Sequence, residues 1–171
     1  MISLLPLDEA KLEELLRDLE GGLRGLCSNG REVRDFLLPV MQQSLDFHRR
    51  VAGPPPWHGC LGVKSDAKRL VGVCGFKGKP SAMGEVEIAY GTVPGFEGRG
   101  HAAGMAAALV AIAFKSPEVR RVVAHTLPEC NASGRVLQKV GMTNVGEVMD
   151  PEDGRVWRRE VRRPKPPPSR C

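Results

Sequence analysis

The sequence predicts a single domain of the α/β class, in which a layer of strands is covered by helices. Its 171 residues suit one domain with a sizeable core, and hydrophobic and charged fractions of 42% and 26% are typical of a globular chain. Short β-branched runs alternate with runs of helical periodicity along the chain. In the middle, residues 86–114 read as a strand, a glycine-rich turn and a helix.

The N-terminal third is predicted to contain one strand and two helices. Residues 2–7 are apolar, as expected for a short first strand. Asp8 is a favourable cap for a helix that extends to about Glu20, because leucines follow at helical spacing. A second helix is predicted at 31–51, where Pro39 is expected to shift its start or kink it.

The remaining chain alternates strands with two further helices. In chain order, the predicted elements are a hairpin at 57–63 and 70–76, a strand at 86–93, a helix from 103 to about 114, a strand at 120–126, a helix from 131 or 133 to 141, and strands at 143–148 and 156–161. The proline-rich basic segment 164–171 is expected to be a disordered tail, so the predicted domain spans residues 1–163.

The glycine-rich turn before the central helix predicts anion binding. The first backbone N–H groups of a helix have no partners, and the helix dipole adds about half a positive charge there. Gly98 and Gly100 lack side chains, so a phosphate or diphosphate can approach the backbone. The segment contains neither a P-loop nor a complete dinucleotide fingerprint, and a purely structural glycine turn is the alternative interpretation.

The positive charge of the chain is concentrated at its C-terminus. The net charge is +5, but residues 155–171 carry seven basic side chains and one acidic one, which leaves the rest at −1. A nearly neutral body argues against nucleic-acid binding by the domain, and a nucleic-acid-binding function through the basic tail is only a third hypothesis.

The cysteines predict reduced thiols in a cytoplasmic protein, because their number is odd and no C-x-x-C occurs. His58 and Cys60 form a lone H-x-C pair, so no metal site is predicted. The N-terminus lacks the pattern of a signal peptide, and no apolar run is long enough to cross a membrane.

Two motifs resemble the GCN5-related N-acetyltransferase (GNAT) superfamily. Residues 97–102, Glu-Gly-Arg-Gly-His-Ala, are similar to its acyl-CoA loop, Gln/Arg-x-x-Gly-x-Gly/Ala. Residues 131–142 resemble the Asn-Ala-Ser…Val-Leu-x-Lys-x-Gly-Phe segment of the branch that contains the ribosomal-protein alanine acetyltransferases. The resemblance covers about residues 61–157. It implies the acyl-CoA N-acyltransferase fold, with a mixed, mostly antiparallel sheet flanked by helices.

The resemblance also implies acetyl-CoA as the co-substrate. Backbone amides of the loop would hold its phosphates, and the strand end at Val93 would pair with the pantetheine arm. Arg99 and His101 would add charge near the phosphates, although a solvated side chain is the favoured alternative for Arg99. Asn131 would bond the pantetheine, or cap a helix. The residues expected to bind the cofactor are Val93, Gly98, Arg99, Gly100, His101, Ala102, Ala103 and Asn131.

Glu87 is the predicted general base. It lies where histone-type members of the superfamily carry a glutamate base, and it alternates with Val86 and Ile88 along the strand. A half-buried carboxylate at this position suits removal of a proton from an amine. Glu85 on the same sheet face is the rival base. The structural alternative is an ordinary strand carboxylate that pairs with a basic neighbour.

The leaving thiolate is expected to be assisted by Ser133. Many superfamily members use a tyrosine two residues before the motif lysine, but that position is Leu137 here. The chain's single tyrosine, Tyr90, belongs to another strand, so tyrosine catalysis in the usual way is not expected. Ser133 matches a serine of the ribosomal-protein branch and would donate a hydrogen bond to the sulfur; it is also a favourable helix cap.

One departure from the loop motif supports an alternative function. Glu97 stands where glutamine or arginine is usual, and its side chain is expected to point away because a carboxylate repels a diphosphate. A non-catalytic acyl-CoA-binding module is therefore the alternative to an enzyme.

The sequence thus predicts a cytoplasmic N-acetyltransferase that moves an acetyl group directly from acetyl-CoA to a primary amine of a small molecule or a peptide N-terminus. The acceptor is expected to enter between the N-terminal helices and the acidic turn at 150–154. No nucleic-acid or membrane partner is predicted, and a homodimer is left open.

Overall fold

The computed structural model describes residues 1–27, 30–51 and 53–164. Its strands are β1 (Ile2–Pro6), β2 (Gly59–Lys64), β3 (Arg69–Phe76), β4 (Glu85–Thr92), β5 (Arg121–Thr126), β6 (Thr143–Asp150) and β7 (Gly154–Arg162). Its helices are α1 (Glu9–Arg17), α2 (Leu19–Gly22), α3 (Arg31–Val51), α4 (His101–Ala113) and α5 (Ala132–Lys139). The strands form one sheet in the order β1-β2-β3-β4-β5-β7-β6. The predicted α/β fold class is therefore confirmed.

Two predicted helices differ from the observed ones. The first predicted helix is divided, because Asp18 ends α1 and its side chain accepts a hydrogen bond from the Gly21 N–H, 2.9 Å away, to start α2. Pro39 lies inside α3, which nevertheless runs over the predicted 31–51 without a shifted start. Residues 165–171 of the predicted tail lie outside the described residues.

The sheet is antiparallel except between β4 and β5. These two central strands pair in parallel from Glu85, opposite Arg121, to Glu87, opposite Val123. No pairing is recorded beyond Glu87 in the described part of the chain, although β4 continues to Thr92 and β5 to Thr126. The sheet therefore opens into a gap between the C-terminal halves of β4 and β5.

Each face of the sheet has its own hydrophobic core. On one face, α4 and α5 bury Met105, Leu109 and Leu137 against the strands. On the other face, α1 and α3 bury side chains such as Leu12 and Met41. Full burial of one such side chain contributes about 1.5–3 kcal/mol to stability. Helix packing on both faces therefore stabilises the strands on either side of the gap. Within the described ranges, no helix is both long enough and apolar enough to cross a bilayer.

The Met105 side chain of α4 packs against two strand glycines, Gly62 and Gly72. A Cβ added to Gly62 would be 2.3 Å from the Sδ atom of Met105, and one added to Gly72 would be 2.6 Å from the Cε atom of the same methionine. The missing side chains let Met105 fill the space above β2 and β3. The packing of Met105 on Gly62 and Gly72 thus anchors the first half of α4 on β2 and β3.

Candidate active site

The gap exposes backbone hydrogen-bonding groups of β4. The Val93 N–H donates to the Val71 carbonyl at 2.9 Å, and the Glu87 carbonyl accepts from the Lys77 N–H at 2.9 Å, so odd-numbered residues of this strand face β3. Backbone groups alternate in direction along a strand, so those of Tyr90 and Thr92 face the gap.

Val93 itself does not fit the predicted pairing with pantetheine. It lies one residue past β4 and is fully buried, and both of its backbone groups are already bonded, since its carbonyl accepts from the Phe96 N–H at 3.0 Å. The exposed edge begins earlier in the strand. Tyr90 and Thr92, not Val93, have backbone groups that face the gap.

The loop before α4 has the geometry of an anion site. Gly100 caps the helix with a φ of 80°, a left-handed conformation that favours glycine. The first bonded amide of α4 is that of Gly104, which donates to the Gly100 carbonyl at 3.0 Å. Within the described residues, the N–H groups of 98–103 have no protein acceptor. These amides, which include those of His101, Ala102 and Ala103, are available to a ligand at the positive end of the helix dipole.

Positive side chains surround this loop. The guanidinium carbons of Arg69 and Arg99 lie 5.8 Å and 5.6 Å from the centre of the Phe96 ring. Burial lowers the pKa of His101, and the nearby charges of Lys64 and Arg99 lower it further. Arg69 was not predicted, because it reaches the loop from β3 and no local motif contains it. This charge suits the phosphates of a nucleotide cofactor.

The unusual Glu97 is engaged by the loop itself. Its Oε2 atom accepts a hydrogen bond from the Gly95 N–H at 2.7 Å. The carboxylate therefore has a structural partner within the turn that leads into α4.

Glu87 lies at the end of the β4–β5 pairing. Its Oε1 atom is 3.0 Å from the Lys77 Nζ atom and 3.0 Å from the His125 Nδ1 atom. In the described part of the chain, its Oε2 atom has no hydrogen-bond donor. The side chain is 22% exposed and lines a cavity. Lys77 directly follows β3 and His125 lies in β5. The ion pair with Lys77 is the pairing with a basic neighbour that was expected from the sequence as the structural alternative for Glu87, although neither partner was named.

The rival carboxylate, Glu85, is held in an ion-pair cluster. Arg158 donates to both of its oxygens, and the Arg121 Nε atom lies 2.8 Å from one of them. The hydrogen bonds from Arg158 lower the pKa of Glu85. Because its lone pairs are committed to arginines, Glu85 is a weaker candidate base than Glu87.

Tyr90 reaches across the gap to α5. Its hydroxyl lies 2.9 Å from the Ser133 Oγ atom and donates to the Ser133 carbonyl at 3.2 Å. Burial raises the pKa of Tyr90. A hydroxyl pair therefore lies beside the gap, although Leu137 in α5 is fully buried and offers no hydroxyl. The sequence motif led to Ser133, but only the strand geometry brings Tyr90 to it.

The same side of the gap contains a cationic group and a helix cap. The positive charge of Arg159 counteracts part of the pKa increase of Tyr90, and its buried Nε atom has no hydrogen-bond partner among the described residues. Asn131 caps α5, because its Oδ1 atom accepts from the Gly134 N–H at 2.9 Å. The capping role predicted as the alternative for Asn131 is thus observed.

A cavity of about 640 Å³ lies on the other face, between α3, α1 and the sheet. Glu87 and Lys77 line it on one side, and Asp150 and Glu152 of the β6–β7 turn line its rim. The Asp150 Oδ1 atom accepts from the N–H groups of Glu152 and Asp153 at 2.8 Å and 2.9 Å, and these bonds lower the pKa of Asp150. The cavity is the place at which the sequence predicted an acceptor amine.

Known proteins share this architecture. The family model described as the acetyltransferase (GNAT) domain matches residues 10–143. Aminoglycoside acetyltransferase AAC(6')-Ib in complex with coenzyme A has a TM-score of 0.63 at 17% identity, over 95% of both chains. RimL, a ribosomal L7/L12 alpha-N-protein acetyltransferase, also in complex with coenzyme A, has a TM-score of 0.62 at 17% identity, over 94% of this chain and 93% of its own.

A chimera of the spermidine N-acetyltransferase SpeG from Vibrio cholerae and hSSAT has a TM-score of 0.64 at 11% identity, over 94% of this chain and 95% of its own. Comparison with curated protein sequences gives no match. The described residues contain no group of three or more His, Cys, Asp or Glu side chains suited to a metal ion.

The structural likeness establishes the fold, and the family model extends over most of the chain, including the loop before α4 and the whole of α5. The predicted superfamily and the predicted reaction, acetyl-CoA-dependent transfer to an amine, are therefore confirmed: the chain belongs to the GNAT family of acetyltransferases.

Proposed function

We propose that this protein acetylates a primary amine of a small molecule or a peptide N-terminus by direct transfer at the gap between β4 and β5. One observation carries the proposal. Glu87 faces the acceptor cavity, whereas Tyr90, three residues later on the same strand, bonds Ser133 on the opposite side of the sheet. A base and a proton donor thus flank the place where the sheet opens.

The proposed cofactor site extends from the α4 loop to the gap. The amides of 98–103 hold the diphosphate, and the charges of Arg69 and Arg99 add to the attraction. The lowered pKa of His101 favours a neutral ring, which can still donate a hydrogen bond. The pantetheine arm pairs with the backbone of Tyr90 and Thr92 as an added strand. The Asn131 side-chain amide, whose oxygen already caps α5, donates to the arm.

In the proposed reaction, the amine binds as an ammonium ion and loses one proton to solvent. The neutral nitrogen then attacks the thioester carbonyl carbon, and the C–N bond forms. Glu87 accepts the proton that the nitrogen loses, while His125 and Lys77 hold the carboxylate in place. The C–S bond breaks, and the thiolate takes a proton from the Tyr90 hydroxyl. Ser133 and solvent return that proton, and the Arg159 charge stabilises the developing anion.

We also propose that residues 1–163 act as one domain in the cytoplasm and that the protein forms homodimers. The described cysteines are free, which suits a reducing compartment. Strand β6 is at the sheet edge and exposes Val145, Val148 and Met149, which supports association of a second copy along this strand.

The proposal is tested with Glu87→Gln, which keeps the shape of the side chain and removes its basicity. We expect kcat to fall about 100-fold while the acetyl-CoA Kd is unchanged. Product formation is measured by mass spectrometry of the acetylated amine, and acetyl-CoA binding by calorimetry. Glu85→Gln is the matched control and is expected to retain most of the activity. Wild-type rates in Glu87→Gln would refute the role of Glu87, and binding without turnover of any amine by the wild type would favour the non-catalytic alternative.

A further inference from the structure

We infer that the acceptor cavity selects an amine that carries a single positive charge next to an apolar group of about the size of an aromatic ring. The group is supplied by a free amine or by the first residue of a peptide. This inference rests on the proposed function and goes beyond it, because it names the class of acceptor.

The cavity has one charged end. Glu87 has an unoccupied oxygen there, and Asp150 and Glu152 lie at the rim of the same cavity. The Lys77 ammonium pairs with Glu87. Its positive charge also helps the backbone hydrogen bonds to lower the pKa of Asp150. An ammonium group placed among these carboxylates is stabilised and brought to the proposed base at the same time.

The rest of the cavity is mostly apolar, although Gln43, Ser44, Arg50 and two histidines also line it. Side chains of α3 form one wall, and strand residues that include Ala89 and Gly91 form the facing wall. Phe36 lies directly above Gly91, where an added Cβ would be 3.4 Å from its ring. A volume of about 640 Å³ is that of a pocket for a small organic ligand. The apolar lining side chains on these two walls include Phe36, Val40, Phe47, Val73 and Ala89.

The charge of the lining limits the charge of the acceptor. Among residues 1–27, 30–51 and 53–164, the cavity is lined by three carboxylates and by two cations, Arg50 and Lys77. With its two histidines neutral, the lining has a net charge of −1. A monoamine neutralises this charge. A polyamine or an aminoglycoside brings several positive charges against an apolar wall and two cations, so it is disfavoured.

The test compares kcat/KM for four acceptors under saturating acetyl-CoA. They are 2-phenylethylamine, the peptide Phe-Gly-Gly, spermidine and kanamycin. We expect the two phenyl-bearing acceptors to exceed both polycations by at least about tenfold. The faster of the two distinguishes a free amine from a peptide as the source of the group. A preference for spermidine or kanamycin would overturn the inference and leave the proposed function intact.

A charge variant gives an independent readout. Arg50→Glu makes the lining of the cavity more acidic. We therefore expect the ratio of kcat/KM for 2-phenylethylamine to kcat/KM for spermidine to fall about fivefold. Arg31→Glu, at the other end of α3 with a side chain 92% exposed, makes the same change of charge outside this cavity and is expected to leave the preference unchanged. Equal effects of both variants would overturn the charge argument.

A size variant tests the apolar wall. Phe47→Ala is expected to lower kcat/KM for 2-phenylethylamine about tenfold and to leave that for methylamine within about twofold. An equal loss for both amines would contradict a role in recognising the ring. If acetyl-CoA binds but the wild type acetylates none of the acceptors, the proposed function fails together with this inference, which distinguishes that outcome from a preference for polycations.

Discussion

The hydroxyl beside the gap comes from a strand residue, Tyr90, whereas the superfamily motif places its tyrosine in the helix position that Leu137 occupies here. Tyr90 bonds Ser133 at the start of that helix, and in the proposed reaction it takes the place of the helix tyrosine. One side chain thus reaches across the opening in the sheet from the strand that also bears Glu87.

Removal of this hydroxyl is expected to slow acetyl transfer. Tyr90→Phe keeps the ring and loses the proton donor, so we expect kcat to fall at least about tenfold with little change in the acetyl-CoA Kd. Ser133→Ala is expected to have a smaller effect, and the double variant should be no slower than Tyr90→Phe, since both act on one proton path. Steady-state kinetics measure this. Additive losses in the double variant would show that the two hydroxyls act separately.

The ion pairs of Glu85 are expected to make the free energy of unfolding depend on pH. Arginines lower the pKa of Glu85 in the folded state, so the charged form stabilises the fold above the unfolded pKa of about 4.3, and this contribution is lost as the pH falls through the folded pKa. We expect Glu85→Gln to lower the free energy of unfolding at pH 7 by about 1–2 kcal/mol.

Urea denaturation at several pH values measures this contribution. The difference between wild type and Glu85→Gln is expected to shrink below about pH 4, since the wild-type carboxylate is then increasingly protonated. A difference that stays constant down to pH 3 would contradict the role of the Glu85 charge.

Contiguous motifs reveal some of these residues and hide others. The motifs around 98–103 and 131–142 were sufficient to identify the loop, Asn131 and Ser133 as candidates. Lys77, His125 and Arg159 had no such signal, because they come from three separate parts of the chain, just after β3, in β5 and in β7, and the pairing register of the sheet brings them to the site. Register depends on contacts across the whole sheet, which a single sequence does not display.

At the level of elements, the loop before α4 combines backbone conformation with ligand binding. Gly100 has a positive φ that a side chain strains, and the amides that follow it are those proposed to hold the diphosphate. We expect Gly100→Ala to destabilise the fold by about 1 kcal/mol and to weaken acetyl-CoA binding at least about tenfold.

Gly141 provides the matched control for this prediction. Its φ is 86°, and no atom lies within 4 Å of an added Cβ, as is also true of Gly100. Gly141 follows α5, away from the loop before α4. Gly141→Ala is therefore expected to cause similar backbone strain without weakening acetyl-CoA binding. Thermal melts and titration calorimetry of both variants give the answer, and equal Kd values for the two would contradict the loop assignment.

The helices show where local sequence is sufficient and where it is not. The span of α3 follows from its periodic apolar residues, and Pro39 within it does not end it. The break between α1 and α2 depends on one hydrogen bond, which the Gly21 N–H donates to the Asp18 side chain. The leucines keep helical spacing across the break, so the sequence predicted one continuous helix there.

At the scale of the whole molecule, the gap divides a sheet that two cores otherwise hold together. A ligand that bridges β4, α4 and α5 supplies contacts that the unpaired strands lack. Acetyl-CoA is therefore expected to raise the thermal midpoint, with a stabilisation of about 2.7 kcal/mol at a concentration of 100 times Kd. Differential scanning fluorimetry measures the shift. No shift at saturating acetyl-CoA would count against a site built from these three elements.

The most direct measurement is a crystal structure of the protein with coenzyme A. The account predicts the diphosphate on the amides of 98–103, the pantetheine arm along Tyr90 and Thr92, and the sulfur within about 3.5 Å of the Tyr90 hydroxyl. A sulfur far from both Tyr90 and the Glu87 end of the cavity, or a diphosphate bound away from the α4 loop, would contradict it.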